Sequence, residues 1–431
     1  MIWENFYYRN YTGEQMKKNV WIFNHYATNM FFNQSGRHYW LAKYLQKKDY
    51  IPMVFCASTI HNSDKDINLN GKPYAVKETS DDFKFVFVKA SKYKGNGLSR
   101  VKNMFSFAVN LYKDGKMIAK EYGKPDIIFA SSVHPLTIVA GIYLAKFFNV
   151  KCIGEVRDLW PESIVAYGII GRNSIIAKAL YLGERWIYKK VDKLIFTWDG
   201  AKDYLAENHF EKQVIKKSYN INNGVVIKTF NDNANKFIIV DNDLDNKKIC
   251  KIVYTGSIRL VNNLKFLVDL AQNLNKCKCL NVKIIIYGDG PEKDKLIEHC
   301  NKNKLDNIVF KGSVEKKYIP GILKRADINI LHNTSTILDK YGQSQNKLFE
   351  YLAAGKPILQ TYNTGHSIID NNKCGICLKN QSVEEATDAI MKLINNKELR
   401  QLYGSNARIT AGKYDFAKLT DDLIKIIEDP M

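Results

Sequence analysis

The stretch SQNKLFEYLAAGKPIL, residues 344–359, joins a short helix to a strand. A polar loop opens the helix, Gly355 is placed to end it, and Pro357 begins an apolar run. Free backbone N–H groups at a helix start favour a diphosphate. Glu350 lies one turn in, on the face of Asn346 and Lys347, where a carboxylate can accept both ribose hydroxyls of a nucleotide. An ordinary amphipathic helix with a glycine cap explains the same residues equally well.

The same alternation of helix and strand runs through the whole chain. In the first half, strands are predicted at 20–23, 51–57, 83–90, 126–131, 152–156 and 193–197, and helices at 36–48, 98–122, 135–149 and 173–191. In the second half, strands are predicted at 249–255, 282–287, 308–311, 328–331, 357–361 and 375–378, and helices at 262–275, 292–302, 317–326, 346–354, 383–395 and 398–413. This alternation predicts an α/β fold with parallel sheets covered on both faces.

The length of 431 residues predicts more than one domain. Residues 231–248 are polar and nearly free of an apolar period, so we interpret them as the edge of an interdomain linker. The prediction is an N-terminal extension (1–18), two Rossmann-like domains (19–228 and 229–412), and a C-terminal helix (413–431) that packs back on the first domain.

The composition limits the compartment and the partners. The net charge of +20 favours anionic partners, namely nucleic acid, an anionic membrane or a phosphorylated substrate. No apolar run is long enough for a transmembrane helix and the first residues do not resemble a signal peptide, so a cytoplasmic location is expected. Cys374 and Cys377 form a CxxC, and Cys277 and Cys279 a CxC, which could hold zinc. Buried thiols are the favoured interpretation, and no metal or cofactor is predicted.

Six further motifs share one order along the chain. They are NHY (24–26), GRHYWLA (36–42), EVRDLWPE (155–162), NNGV (222–225), YTGS (254–257) and GDGP (288–291). Together with residues 344–357 they resemble family 4 of the retaining GT-B-fold glycosyltransferases, in its O-antigen and capsule branch with N-acetylfucosamine-transferase-like members. The resemblance spans nearly the whole chain. It implies two Rossmann-like domains facing each other across a cleft.

The resemblance also implies where the substrates bind. The donor, a nucleotide sugar expected to be a UDP-linked N-acetylated hexose, lies on the C-terminal domain. Glu350 holds the ribose, and Ser344, Asn346 and Lys347 line the diphosphate beside Leu348. Lys311 borders the base. The residues of the glycine-rich loops assigned to the site are Gly36, Gly256, Ser257 and Gly288. The acceptor, lipid-linked or an oligosaccharide, lies near Gly36 and the block 155–158.

The sequence departs from the family pattern at two places. Gly342 stands where the family often has a sugar-contacting Glu, so backbone groups or Gln343 would have to replace it. Ser257 and Asn262 stand where the family often has Arg and Lys, and Arg259 is close enough in sequence to substitute.

The implied reaction is a retaining transfer without a metal ion. Arg259, Lys347 and the helix start at Asn346 are the candidates to stabilise the leaving diphosphate. Glu155 and Asp158 could orient the acceptor hydroxyl or ease its proton loss, or instead pair with Arg157 or cap a helix. The remaining polar candidates are interpreted as non-catalytic: Asp241, Asp243 and Asp245 as solvated charge despite their Asp-x-Asp spacing, and His25 and His38 as structural.

Helix 98–122 raises the question of a membrane. Val101, Met104, Phe105, Ala108 and Tyr112 recur at helical spacing among basic residues, namely Lys94, Arg100, Lys102, Lys113, Lys116 and Lys120. We predict a peripheral role on the anionic cytoplasmic membrane face, although a helix packed on the sheet fits as well. A nucleotide-sugar epimerase of similar fold is the alternative activity. A nucleic-acid partner is not predicted, because no binding motif accompanies the charge.

Overall fold

The computed structural model describes residues 17–60, 63, 66–95, 97–132, 134–277 and 281–430. Residues 1–16 of the predicted extension, and Cys279 of the CxC pair, lie outside the described residues.

The first sheet contains eight strands within these residues, in the order β3-β4-β2-β1-β5-β6-β7-β8. Their bounds are β1 (Lys18–Phe23), β2 (Tyr50–Ala57), β3 (Tyr74–Glu78), β4 (Lys84–Val88), β5 (Ile127–Ser131), β6 (Lys151–Val156), β7 (Lys193–Phe196) and β8 (Ser218–Asn220). Strand β1 pairs in parallel with β2 and with β5. Strand β3, which the sequence analysis missed, is antiparallel to β4 and none of its residues is fully buried. A half-exposed edge strand gives a weaker apolar signal than a central one.

The second sheet contains six strands in the described part of the chain, in the order β11-β10-β9-β12-β13-β14. They are β9 (Cys250–Thr255), β10 (Val282–Tyr287), β11 (Ile308–Gly312), β12 (Ile328–Leu331), β13 (Ile358–Gln360) and β14 (Gly375–Cys377). Every neighbouring pair is parallel. The strand order reverses between β9 and β12, and such a switch point is where ligands bind, outside the carboxyl ends of the strands.

Helices connect the strands. They are α1 (Thr28–Asn33), α2 (Arg37–Gln46), α3 (Leu98–Tyr122), α4 (Leu136–Phe148), α5 (Glu162–Ala166), α6 (Ile175–Lys190), α7 (Ala201–Glu207), α8 (Lys212–Lys216), α9 (Ile227–Lys236), α10 (Asn242–Asp245), α11 (Lys265–Lys276), α12 (Lys293–Lys302), α13 (Ile319–Arg325), α14 (Asn346–Ala354), α15 (Ile368–Asn371), α16 (Val383–Asn395), α17 (Lys397–Ala411) and α18 (Phe416–Glu428). Short 3₁₀ helices span Leu260–Asn262, Lys316–Tyr318, Ile337–Tyr341 and Gly412–Tyr414. No helix among the described residues is long and apolar enough to cross a bilayer.

Residue contacts divide the chain into two compact units. One comprises Met1–Gly154 and Lys190–Asp192, and the other Glu155–Lys189 and Lys193–Met431. The second sheet lies in the second unit, and alternate residues of β9 enter different cores. Ile252 and Tyr254 pack with α11 and α16, whereas Val253 packs with α13 and α14. Because successive side chains of a strand point to opposite faces, helices cover both faces, as predicted.

The polar segment 231–248 is more ordered than predicted. Helix α9 covers 227–236 and α10 covers 242–245. Phe230, Ala234 and Leu244 are buried, and the first two are four residues apart on one face of α9. The segment predicted to be the edge of an interdomain linker therefore contains two short helices with buried side chains.

The C-terminal helix α18 contacts strand β7 of the first sheet. Phe416, Leu419 and Leu423 are buried. Lys193 on β7 donates from Nζ to the carbonyl of Ile426, with the two atoms 2.6 Å apart. This contact anchors the end of the helix.

Helix α3 carries both buried and exposed apolar residues. Met104, Phe107 and Leu111 are buried, whereas Val101 and Phe105 are exposed. Met104 therefore packs in the core, as the alternative of a helix packed on the sheet predicts, whereas Val101 and Phe105 stay on the surface.

Candidate functional site

Two glycine loops meet at the carboxyl ends of β9 and β10. A Cβ on Gly288 would lie 1.8 Å from the carbonyl oxygen of Gly256, and a Cβ on Gly290 would lie 2.2 Å from that of Ile258. The amide of Ile258 donates to the carbonyl of Asp289 at 2.9 Å. Because this approach leaves no room for side chains, both loops present backbone groups beside the switch point.

Lys347 in the first turn of α14 lies against the first of these loops. Its Nζ is 3.1 Å from Tyr254 Oη, 4.4 Å from the centre of the Tyr254 ring, and 2.8 Å from where a Cβ on Gly256 would be. Burial lowers the pKa of Lys347 to about 8, against the opposing charge of Glu350. A poorly hydrated ammonium group therefore stands beside a backbone loop at a helix start, which suits an anion.

Glu350 is one turn further along α14 and partly buried. Its Oε1 lies 3.5 Å from Nζ of Lys316, an exposed residue. Asn346, the first residue of the helix, is exposed, and Gln345 precedes it in an extended conformation (φ −68°, ψ 135°). The helix start thus places the Lys347 ammonium and the Glu350 carboxylate on one side.

Ser344 and Leu348 are held by protein contacts. The Ser344 hydroxyl accepts from the amide of Asn223 at 2.8 Å, and its carbonyl accepts from Asn223 Nδ2 at 2.5 Å. Leu348 is buried in the core, and its amide donates to Gln345 at 3.1 Å. Leu348 therefore supports the helix and does not offer its side chain to a ligand.

The Lys311 ammonium group is ion-paired with two carboxylates of the segment 231–248. Its Nζ lies 3.0 Å from Asp241 Oδ1 and 2.6 Å from Asp243 Oδ2, and Tyr287 Oη donates to Asp241 at 2.5 Å. Burial opposes ionisation, yet hydrogen bonds from Tyr287 and Lys311 lower the pKa of Asp241. The interpretation of Asp241 and Asp243 as solvated charge is wrong, because both are ion-paired and Asp241 is buried.

Among the described residues, no three His, Cys, Asp or Glu side chains cluster as metal ligands do. Cys374 is buried with its Sγ 3.4 Å from Thr410 Oγ1, and Cys377 Sγ is 3.3 Å from Ser367 Oγ.

The loop after β9 carries the remaining candidates for the leaving group. Ser257 Oγ donates to Asn262 Oδ1 at 3.0 Å, so these two polar residues pair with each other. Arg259 precedes the 3₁₀ helix Leu260–Asn262 and is exposed. Of the three, Arg259 has the charge to reach an anion at this loop.

Glu155 and Asp158 occupy different environments. Glu155 is fully buried at the end of β6, whereas Asp158 in the following loop has an exposed surface. Surrounding protein still desolvates the Asp158 carboxyl and raises its pKa, while the charge of Arg157 acts in the opposite direction. Because Asp158 has an exposed surface and a carboxyl of raised pKa, it is the better proton acceptor of the two.

Gly36 and the histidines lie in the first unit. Gly36 precedes α2 with φ of 112°, where a side chain would be strained and would contact Met30. His25 Nδ1 lies 2.5 Å from His134 Nε2, and His38 Nδ1 lies 2.7 Å from Asn24 Nδ2. Burial lowers the pKa of His134 to about 3, so this ring is neutral. The sequence analysis missed His134, a lone histidine with no motif around it.

A cavity of about 670 Å³ was also missed. Its walls are formed by Glu162 and Arg172, the end of α7, the segment 335–341 and the loop after β13. Asp339 in this wall is buried, which raises the pKa of its carboxyl, and accepts from the amide of Thr336 at 2.7 Å. The spacing Thr336-x-x-Asp339 is that of a capping box and could have indicated this carboxylate.

Gln343 is fixed beside that carboxylate. It donates to Asp339, and its Oε1 accepts from Tyr362 Oη at 2.8 Å. Gly342, where the family often has a Glu, has φ of 92° and leads the chain into this arrangement.

Comparisons with known proteins bear on this site. Residues 235–410 match the model of the family described as Glycosyl transferases group 1. The matched segment, less than half of the chain, is similar to group 1 glycosyltransferases. It contains the glycine loops, Lys311, Lys347 and Glu350.

Three similar proteins extend the comparison beyond the group 1 domain. An uncharacterised glycosyltransferase of Methanocaldococcus jannaschii is 26% identical over 245 residues, which cover 56% of this chain and about three-fifths (59%) of that protein. Sucrose-phosphate synthase from Thermosynechococcus elongatus superposes with a TM-score of 0.69 at 15% identity, covering 95% of this chain and 98% of that structure. Anabaena HepE in complex with UDP and glucose gives 0.66 at 13% identity, covering 96% and 100%. The two structures show that the fold is GT-B.

Proposed function

We propose that the chain is a glycosyltransferase that moves a sugar from a nucleoside-diphosphate donor to a lipid-linked or oligosaccharide acceptor. The observation that carries the proposal is the placement of Lys347 against the Gly256 loop, with Glu350 one turn away. We further propose a UDP-linked N-acetylated hexose as donor, retention of configuration, and a role in O-antigen or capsule synthesis. These finer points rest on the family resemblance of the sequence.

The donor diphosphate would bind at the start of α14. There the Lys347 ammonium, the first-turn amides and the backbone of the glycine loops converge. Glu350 would accept the ribose hydroxyls, and its contact of 3.5 Å with Lys316 would then be lost. Lys311 is held by Asp241 and Asp243, so at the base it would act through its backbone or its carbon chain.

The reaction breaks the bond between the anomeric carbon and a diphosphate oxygen and forms one to an acceptor oxygen. Charge develops on the leaving diphosphate, where Lys347 and the exposed Arg259 would stabilise it in place of a metal ion. The acceptor hydroxyl loses its proton as the new bond forms. Asp158 is our candidate to receive that proton or to orient the hydroxyl, because desolvation raises the pKa of its carboxyl and the residue has an exposed surface.

The exposed residues of helix α3 support a proposal about where the protein acts. Leu98, Val101, Phe105 and Val109 form an exposed apolar line on α3, beside Arg100 and Lys102. This arrangement supports peripheral binding to the anionic cytoplasmic face of a membrane. A nucleotide-sugar epimerase is the less favoured activity, because the part of the chain that holds the donor residues matches a glycosyltransferase family.

A thermal-shift screen of nucleoside diphosphates and nucleotide sugars tests the donor site. Bound ligand raises the melting temperature, and we expect UDP and UDP-sugars to give the largest shifts. Glu350→Ala should lose most of the UDP shift, since a hydrogen bond to a charged group contributes about 1.5–3 kcal/mol. Glu298→Ala on the exposed side of α12 is the control. Absence of any shift in the wild type, or an unchanged shift in Glu350→Ala, would contradict the assignment.

A further inference from the structure

His332 is a buried histidine beside the proposed donor site. It directly follows β12, the strand next to β9 at the switch point of the second sheet. Its side chain is fully buried, and the sequence analysis missed it because no motif surrounds it. Burial of a polar ring costs free energy unless its hydrogen-bonding groups are satisfied. The partners of the two ring nitrogens therefore decide what this residue does.

Both ring nitrogens of His332 have partners. Nε2 lies 3.0 Å from the carbonyl oxygen of Asn263, and Nδ1 lies 2.6 Å from Oγ1 of Thr361, the residue after β13. A carbonyl oxygen can only accept, so Nε2 carries a proton and donates it. The ring of Phe266 stacks on the imidazole, with 4.8 Å between the ring centres. These contacts fix the orientation of the ring and place an N–H group against the Asn263 carbonyl.

The imidazole of His332 is neutral at physiological pH. Burial lowers its pKa to about 4, the hydrogen bond to the Asn263 carbonyl opposes this shift, and the charge of Lys347 adds to it. In the neutral ring Nε2 is the donor, and Nδ1 accepts from the Thr361 hydroxyl. His332 is therefore a fixed hydrogen-bond donor and not a carrier of protons.

The Asn263 carbonyl lies at the end of the loop that carries Arg259. This loop, residues 256–263, has five exposed residues, namely Ser257, Arg259, Leu260, Val261 and Asn263. At its start, Ile258 is buried and its amide donates to the carbonyl of Asp289 at 2.9 Å. A segment with so few buried side chains depends on its hydrogen bonds to stay closed. Arg259 thus lies between an anchor at Ile258 and an anchor at Asn263.

The segment after β12 runs along the far side of this loop. Asn262 Nδ2 donates to Asn333 Oδ1 at 3.4 Å. The amide of Thr334 donates to the carbonyl of Val261, also at 3.4 Å. The His332 bond, at 3.0 Å, is the shortest of the three and comes from a fully buried side chain. It is therefore the strongest hold on this side of the loop.

We propose that His332 is a positioning residue for the donor diphosphate, whose Nε2–H group holds the loop so that Arg259 stays within reach of the leaving group. The proposal rests on the proposed function and deepens it, because it names the group through which Arg259 is placed. His332 is fully buried, so it acts through the loop and not by touching the donor. The competing explanation is that the ring only fills the core beside Phe266.

Two substitutions separate the two ring nitrogens. The side-chain amide nitrogen of Gln can reach the position of Nε2, whereas that of Asn reaches only the position of Nδ1. His332→Gln should therefore keep the bond to the Asn263 carbonyl, and His332→Asn should lose it. Both variants lose the stacking on Phe266, so this loss cancels when the two are compared.

Hydrogen-exchange mass spectrometry on the full chain reports on the loop itself. His332→Asn should raise exchange in residues 257–264 at least about tenfold and leave the strands of the second sheet protected. His332→Gln, and His299→Asn at an exposed position on α12, should exchange as the wild type does. The proposal is overturned if the loop exchanges normally in His332→Asn, if Gln behaves as Asn, or if exchange rises throughout the sheet, since the histidine would then only support the core.

Titration calorimetry with UDP connects the loop to Arg259. Arg259→Ala should weaken UDP binding at least about tenfold, the effect of losing a hydrogen bond to a charged group, and His332→Asn should weaken it by no more than that. The double variant should bind as Arg259→Ala does, because both changes remove the same contact. Losses that multiply in the double variant would overturn the proposal. If the wild type binds no UDP, the proposed function fails, whereas the exchange measurement still decides whether His332 holds the loop.

Discussion

The depressed pKa of Lys347 predicts that donor binding weakens in alkaline solution. Burial lowers this pKa to about 8 in the free protein. At pH 7 about nine-tenths of the molecules carry the ammonium form, and at pH 9 about one-tenth do. If only the charged form binds the diphosphate, the apparent Kd rises about tenfold between these two pH values. The direction follows because binding requires the proton that is lost as the pH rises through 8.

Titration calorimetry with UDP at pH 7, 8 and 9 measures this slope. Lys347→Arg is the decisive comparison, because a guanidinium stays charged over the whole range and its Kd should stay nearly constant. Ionisation of the ligand affects both proteins equally and cancels in the comparison. Lys347→Ala should lose about 1.5–3 kcal/mol at pH 7, the contribution of a charge-assisted hydrogen bond. A flat wild-type profile, or the same slope in Lys347→Arg, would refute the reasoning.

Two further predictions concern the acceptor side and the glycine loops. Asp158→Asn should lower kcat about 10²–10⁴-fold with little change in donor affinity. Glu155→Gln, at a fully buried carboxyl, should mainly lower the melting temperature. Steady-state kinetics and thermal melts distinguish the two effects, and an Asp158→Asn variant with normal kcat would show that this residue has no part in the mechanism. Gly288→Ala should destabilise the fold by more than about 3 kcal/mol, because its Cβ would lie 1.8 Å from the Gly256 carbonyl oxygen. Gly183→Ala on α6, with open space around it, should stabilise the fold by about 0.5–1 kcal/mol. Denaturant unfolding measures both changes, and equal midpoints for the two variants would contradict the packing of the loops.

The fold was predictable from the sequence because most strands of both sheets are buried. Short apolar runs such as β10, with five of its six residues buried, give a signal that needs no tertiary information. Strand β3 was missed because its residues are partly exposed at a sheet edge. Helix α9 was missed because only Phe230 and Ala234 mark its buried face among eight other residues, most of them polar.

The candidate site was predictable to a smaller extent. The glycine loops directly follow β9 and β10, and α14 is one continuous segment after β12, so local sequence motifs indicate all three. The ion pairs of Lys311 with Asp241 and Asp243 join residues about 70 positions apart, and no local pattern reports such a contact. The cavity is likewise formed by segments around 162–172, 207–208, 335–341 and 363–365, which only the fold brings together. The predicted roles of Glu155, Asp158, Arg259 and Glu350 stay predictions.

The contact between the Gly256 and Gly288 loops has a consequence for altering donor choice. A Cβ on Gly288 would lie 1.8 Å from the carbonyl oxygen of Gly256, so we expect substitutions at these glycines to unfold the protein and not to change its preference for a donor sugar. Libraries aimed at a different sugar should therefore keep these glycines constant and diversify Arg259, whose side chain is exposed. The two glycine loops then keep the same backbone in every variant, so a change in donor preference can be attributed to the residue that was varied.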